Sequence, residues 1–344
     1  GIDPLLIIEK YGADALRFAL ASGNSPGNDM RFSDEKIESA RNFANKLWNA
    51  ARFVMMNLDI EKVEMPKSDE LALQDKWVLS RLNKLISRVR ASLDSYELGI
   101  ALGEIYDFIW DVFCDWYIEL SKTTLSNKDS EKNKVSQNVI VYVLEAILKL
   151  LHPFMPFITE EIYQSLPHFE NAESIMISTY PEVKDELDFS LDEEKMERVI
   201  GAIREIRVRR NEMNVPPSRK AKVYIVTKYN DSFNEDTAGF FERLASASEV
   251  EIVDDYSSEG AVQIITHAAT IYIPMAEMID TEKEKARLSG DLAKVNLEIE
   301  RLVKKLSNPE FTAKAPEKVV NGEKEKLAKY EAQKQGILDA LNAL

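Results

Sequence analysis

Between Ser33 and about Leu58 the apolar residues return with the period of an α-helix. Wound at about 100° per residue, Ala40, Phe43, Leu47, Ala50, Ala51, Val54 and Leu58 gather on one arc, which is how a helix buries itself against a neighbour. A strand would send members of that set to opposite faces, so the segment has one viable backbone. The same period recurs over about residues 69–95, 98–122, 133–151 and 156–166, interrupted by short polar breaks such as Ser126-Asn127-Lys128-Asp129-Ser130. Helices joined by breaks that short must double back, and the pattern predicts an antiparallel helical bundle over residues 34–180. Ahead of it, residues 1–33 read as two short helices, Pro4 to Tyr11 and Ala13 to Ala21, then a Gly/Asn/Pro turn from Ser22 to Asn28 and an extended piece from Asp29 to Phe32. Ser33 is a fair N-cap for the helix that follows.

After Pro181 the composition turns acidic, from Asp185 to Glu194, and marks a boundary. A helix over about residues 191–212 stops at Asn214-Val215-Pro216-Pro217. Lys222 to Val226, Val250 to Val253, Ala261 to Ile265 and Ala269 to Ile273 read as strands, with a helix from Phe233 to Ala247 between the first two. Residues 181–276 are therefore expected to form a small α+β junction module. From Glu277 the pattern changes again: Leu288, Leu292, Val295, Ile299, Leu302 and Leu306 follow spacings of 4, 3, 4, 3 and 4, a heptad seam. The two prolines of the stretch Asn308 to Pro316 must break that helix, and a second seam runs through Val320, Leu327, Tyr330, Ile337, Leu341 and Leu344. The expectation is an antiparallel coiled-coil hairpin over residues 277–344, neutral overall, with 13 basic and 13 acidic residues. Because the loop supplies the partner helix in cis, the pattern favours a monomer over a dimerisation coil. The fold class is mainly α.

The helix after Ser33 also carries the chemistry. Opposite its apolar arc stand Asn42, Asn45, Lys46, Asn49, Arg52 and Phe53. An ordinary solvated face is rich in Glu and Lys; amides, cations and an aromatic ring together can hydrogen-bond base edges, neutralise phosphate and stack on an unpaired base. That combination points to single-stranded RNA. The competing reading is that Phe53 packs beneath the next helix while the Asn residues bridge neighbouring turns. A net charge of −15 excludes a broad nucleic-acid coat, so any contact must be local. Positive charge does concentrate between Arg198 and Lys222, where eight basic residues meet two acidic ones.

Cys114 is the single cysteine and can form no intrachain disulfide, and no cysteine cluster exists for zinc. His152, His168 and His267 are scattered, the first two beside prolines, and read as structural. No run approaches the roughly 20 apolar residues of a membrane span, and no signal-peptide pattern opens the chain, which reads as cytoplasmic. The opening Gly1-Ile2-Asp3-Pro4 lacks a methionine and enters apolar periodicity at once, so the chain reads as a piece of a longer protein.

Several segments carry a family resemblance. Gly1-Ile2-Asp3-Pro4 with Tyr11-Gly12-Ala13-Asp14-Ala15-Leu16-Arg17-Phe18 resembles the segment that follows the KMSKS loop in class I aminoacyl-tRNA synthetases. Asn28 to Phe32, Arg41 to Phe53, Phe113 to Leu120 and Leu151 to Ile162 resemble the helical anticodon domain of the bacterial valyl-tRNA synthetase family. Met213-Asn214-Val215-Pro216-Pro217 and Phe311 to Pro316 with Val319-Val320 are similar to its junction and C-terminal coiled coil. The resemblance covers the whole chain in order, while neither nucleotide-binding signature of the family is present.

The resemblance implies that residues 1–33 contact the tRNA stem and that Lys46, Asn49, Arg52 and Phe53, with Asn42 and Asn45, bind the anticodon of valine tRNA. It places the hairpin, with Lys294, Arg301, Lys304, Lys305 and Lys318 off the first seam, on the tRNA body. ATP and magnesium belong to the longer parent enzyme; no catalytic residue, metal or cofactor is expected here, and neither DNA nor membrane is an expected partner. The rival from another class is a helical scaffold whose coiled coil binds a protein.

Overall fold

The computed structural model describes residues 3–22, 33–170, 172–257, 259–278, 281–307 and 317–343. The expected turn beyond Ser22, the extended piece at Asp29 to Phe32 and the Pro-bounded loop from Asn308 to Pro316 lie outside the described residues. The chain divides into two compact units, residues 1–204 with 228–245 and residues 205–227 with 246–344.

The first unit is helical. Asp3 caps α1 (Pro4–Tyr11), its Oδ1 accepting from Leu5 N at 2.9 Å, and Gly12 turns the chain into α2 (Ala13–Ala21) at a φ of 91° that a side chain would strain. α3 (Asp34–Met56) buries Ala40, Phe43, Leu47, Ala50, Ala51 and Val54, the arc read from the sequence; Leu58 falls beyond its end and is half-buried. Ser33 precedes α3 in an extended conformation but makes no side-chain cap. α4 (Leu73–Asp94), α5 (Leu98–Asp107), α6 (Ile118–Leu125), α7 (Glu131–Leu151) and α8 (Pro156–Tyr163) complete the expected set.

The segment expected as one helix over residues 98–122 is α5, ten π-helical residues from Phe108 to Tyr117, and α6 in direct succession. Phe108 and Ile109, Val112 and Phe113, and Trp116 and Tyr117 are buried along this π-helical stretch, all six against the core.

Buried polar groups tie this unit together. Asp14 accepts from the backbone N–H groups of Phe157 (3.3 Å) and Ile158 (2.7 Å), satisfying the start of α8, and Arg17 donates to the carbonyls of Pro153 and Phe154 at 2.9 and 3.2 Å. At the start of α4, Asp75 accepts from Tyr117 Oη at 2.8 Å and from Ala72 N at 3.3 Å.

α9 (Ser190–Glu212) leads to the strands β1 (Ala221–Thr227), β2 (Ala247–Val253), β3 (Ala261–Ile265) and β4 (Ala269–Pro274), which form one mixed sheet in the order β2-β1-β4-β3. β1 and β2 are parallel; the other two pairings are antiparallel. The helix expected from Phe233 to Ala247 is shorter, α10 (Glu235–Leu244). Asn234 starts it by accepting from the N–H groups of Asp236 and Thr237, and Ser246 at φ 55° ends the helical path so that Ala247 enters β2 opposite Ala221.

After the short α11 (Met275–Met278) come α12 (Thr281–Leu306) and α13 (Glu317–Ala343). They run antiparallel: Lys305 near the end of α12 meets Glu323 near the start of α13 at 3.3 Å, while Asp291 and Val295 share a groove with Tyr330 and Ile337. Val295 and Leu302 are buried, and Leu292, Ile299, Leu306, Val320, Leu327, Tyr330 and Ile337 are half-buried, following both seams. The side chains of Leu288, Leu341 and Leu344 lie outside those described.

Candidate nucleic-acid interface

With its apolar arc sealed, α3 turns its other face outward. Asn42, Asn45, Asn49 and Arg52 are all exposed there, at spacings of three, four and three residues that keep them on one stripe. Three amides and one guanidinium on a rigid, buried-backed helix can pair with base edges with little reordering of the backbone.

The structure does not leave the remaining two expected members equally available. Lys46 turns toward the π-helical segment, where its Nζ lies 2.7 Å from Asp115 Oδ1, 3.2 Å from the Trp110 carbonyl and 3.6 Å from the centroid of the Trp110 ring. Trp110 ends an aromatic series from Phe43 through Tyr106, with ring centroids 4.8 and 5.6 Å apart, so the cation is seated on a rigid platform. Phe53 is half-buried with the Lys122 ammonium 5.1 Å from its ring centroid, and Lys122 in turn pairs with Glu119. Its ring is thus packed toward α6 on one side, part of what the competing reading expected.

Trp48 is absent from the residues picked by pattern, yet it is exposed. It lies between the apolar arc and the polar face, where a helical wheel assigns it to neither; the signal that could have found it is its spacing of three from Asn45 and four from Arg52.

The basic stretch from Arg198 to Lys222 is largely occupied by internal structure. In the first unit, the Arg198 guanidinium lies 4.3 Å from the Tyr229 ring and that of Arg204 lies 5.2 Å from Trp116. In the second, Arg209 pairs with Glu212 at 3.2 Å and Lys222 with Glu249 at 2.6 Å. Arg210 is buried and donates to the carbonyls of Pro216 and Arg219, while Arg219 donates to those of Glu277 and Ala276. Burial lowers the Arg210 pKa from its ordinary value. A run that reads as a basic patch therefore works mainly as a set of joints.

On α12, Lys294 pairs with Asp291 at 3.4 Å and Arg301 with Glu298 at 3.8 Å, each cation remaining about four-fifths exposed (80% and 78%). Lys304 is exposed. Lys305 spans to Glu323 on α13, and the Lys318 side chain lies outside those described.

Burial pushes the Cys114 thiol up to about 12, which leaves it protonated and inert at neutral pH. Burial lowers both His152, whose Nδ1 is 2.7 Å from Thr159 Oγ1, and His168, which stacks on Tyr163 at 3.9 Å. Among the described residues no group of three or more His, Cys, Asp or Glu side chains gathers to hold a metal.

Known proteins share this plan. Residues 75–225 match the family described as the anticodon-binding domain of tRNA ligase, and residues 280–344 match the valyl tRNA synthetase tRNA binding arm. α3 precedes the first match and is covered by full-length relatives. The valine–tRNA ligase of Clostridium tetani is 50% identical over 100% of this chain, and that of Clostridium perfringens is 48% identical over 100%. The chain spans 39% of the length of each. The solved structure of Mycobacterium tuberculosis methionyl-tRNA synthetase in complex with methionyl-adenylate is 26% identical, with a TM-score of 0.40 over 47% of this chain and 33% of that one, a likeness too partial to carry an argument.

Proposed function

The chain belongs to the valine–tRNA ligase family, and from that premise we propose that it is the tRNA-holding portion of a ligase that joins valine to its tRNA. The observation that carries the reading is the exposed stripe of Asn42, Asn45, Asn49 and Arg52 on a helix whose opposite face is sealed into the bundle. In this reading the stripe, with Phe53 at its edge, takes the anticodon. Arg52 and Asn49 hydrogen-bond base edges and the open side of Phe53 stacks a splayed base. Lys46 joins only after exchanging Asp115 for a phosphate. Residues 1–33 contact the stem, and Lys294, Arg301, Lys304, Lys305 and Lys318 face the tRNA body. Binding energy gathered so far from the reacting end fixes where that end lies, which is a positional contribution to catalysis.

ATP and magnesium serve the activation step of the longer ligase, and no step through either is assigned to residues of this chain. The antiparallel pairing of α12 with α13 supports a monomer, because each apolar seam already has its partner in cis. The working compartment in this reading is the cytoplasm; no helix among the described residues is long and apolar enough to cross a membrane.

A band-shift titration with a transcript of valine tRNA, set against one whose anticodon alone is changed, tests the reading. We expect binding of the first and measurably weaker binding of the second. Equal affinity for both would overturn the anticodon assignment, and binding of neither would leave the scaffold reading in its place.

A further inference from the structure

The Lys46 ammonium has two partners on the π-helical segment, the indole ring of Trp110, whose centroid is 3.6 Å from Nζ, and the Asp115 carboxylate, 2.7 Å away. The winding of that segment makes the double seat. Trp110 and Asp115 are five residues apart, which in an α-helix would turn them about 140° from one another, whereas the i to i+5 bonding of a π-helix brings them back toward one face. The ring is held firmly. It stacks on Tyr106 with centroids 5.6 Å apart and planes 17° from parallel, and Tyr106 in turn lies 4.8 Å from the fully buried Phe43. Its cover, by contrast, is one flexible side chain held in a partly exposed ion pair, the kind that exchanges at little cost.

We propose that Trp110 is a second stacking platform for an unpaired nucleobase, covered by Lys46 until RNA arrives. Whatever uncovers the ring must replace both contacts of the ammonium, giving it an anion in place of Asp115 and giving the indole a flat π-face in place of the cation. A nucleotide carries both, in its phosphate and its base. An aliphatic or cationic side chain of a protein carries neither. The neighbours of Lys46 agree with that choice: Asn42, Asn45 and Asn49 stand four residues before it, one before it and three after it, all exposed, with amides that donate to and accept from base edges. The platform is distinct from Phe53. Lys46 and Phe53 are seven residues apart, roughly 10 Å of rise along α3, too far for one base to lie on both rings. A strand that draws Lys46 to a phosphate thereby opens a ring for its own base, so that charge neutralisation and stacking are coupled through one side chain.

This inference rests on the RNA-binding reading, and its test separates the two. In a chain labelled with fluorotryptophan, four fluorine resonances report the four tryptophans, and the one missing from Trp110→Phe is that of Trp110. Saturating valine tRNA transcript should shift that resonance in the parent chain and also in Lys46→Ala, where no ammonium covers the ring. Trp110→Phe, which keeps a stacking ring, should bind the transcript within about threefold of the parent, and Trp110→Leu about tenfold more weakly. A Trp110→Leu chain that does not fold leaves the resonance in Lys46→Ala to decide. If the transcript binds with its anticodon dependence intact while that resonance stays in place, or while folded Trp110→Leu binds like the parent, the ring is only the seat of Lys46 and the proposal is overturned. If the transcript does not bind at all, both readings fall.

Discussion

Lys46 is latched to Asp115 across 69 residues of chain, Nζ to Oδ1 at 2.7 Å, on the face of α3 that we propose meets the anticodon. The latch is partly exposed, with 24% and 52% of the two side chains accessible, so it is held weakly enough to exchange. Asp115→Asn should therefore change stability by less than about 1 kcal/mol. It should also tighten tRNA binding and steepen the salt dependence by about one log-log unit as Lys46 becomes free for phosphate. Affinities measured across a salt series decide it; an unchanged slope would make Lys46 a structural cation.

Phe53 separates recognition from packing. Its ring is half-buried, so Phe53→Ala should cost less than the roughly 3–5 kcal/mol of a fully buried Phe while weakening tRNA binding by about 1–3 kcal/mol through lost stacking. Arg52→Ala, on an exposed position, should weaken binding with almost no loss of stability. Thermal melts run beside the binding titrations distinguish the two roles. A Phe53→Ala chain that melts early but binds normally per folded molecule would assign Phe53 to the core.

Most of this architecture was legible because apolar periodicity reports burial directly: the α3 arc and the α12 seam are where the pattern puts them. What escaped was decided by contacts between distant residues. Nothing near Lys46 announces Asp115 and Trp110, and the Arg198 to Lys222 run looks like a patch until Arg198, Arg204, Arg209, Arg210 and Arg219 find a carbonyl, ring or carboxylate. The π-helical stretch carries apolar pairs every four residues, a spacing that an α-helix also keeps on one face, so the pattern does not distinguish the two windings. Trp48 fell between the two faces and so belonged to neither.

Asp75 gives the bundle a pH signature. It is fully buried, and that burial raises its carboxyl from 3.8 to about 6, the bonds from Tyr117 and Ala72 opposing the rise. With the folded value above the unfolded one, the folded protein binds the extra proton between those limits. This group's contribution is therefore most favourable below 3.8 and is lost as pH rises to about 6, on the order of 3 kcal/mol. Asp75→Asn keeps an acceptor for the Tyr117 hydroxyl but cannot titrate. Relative to that variant the parent chain should lose thermal stability as pH is raised from about 4 to about 7. Parallel curves for the two proteins would show that Asp75 is not the group responsible.

The α12 cations divide by their partners, and the division predicts which of them can serve tRNA. Lys294 and Arg301 hold only helix-face pairs and stay largely exposed, and exchanging such a pair for a phosphate costs about 0.3–0.5 kcal/mol. Lys305 instead bridges to Glu323, whose side chain is only 13% exposed, so it fastens the two helices of the arm. Lys294→Glu combined with Lys304→Glu should leave the melting of the arm unchanged, weaken tRNA binding, and flatten its salt dependence by about one unit for each phosphate contact removed. Lys305→Ala should show the opposite balance, loosening the arm first. Anticodon discrimination should survive in both, because the side chains proposed to read bases sit on α3. Ribonuclease footprints on valine tRNA give the decisive comparison. Loss of protection on the tRNA body in the double variant, with anticodon protection retained, places the arm against the body. Identical footprints would remove these lysines from the interface and make the arm a self-folded spacer.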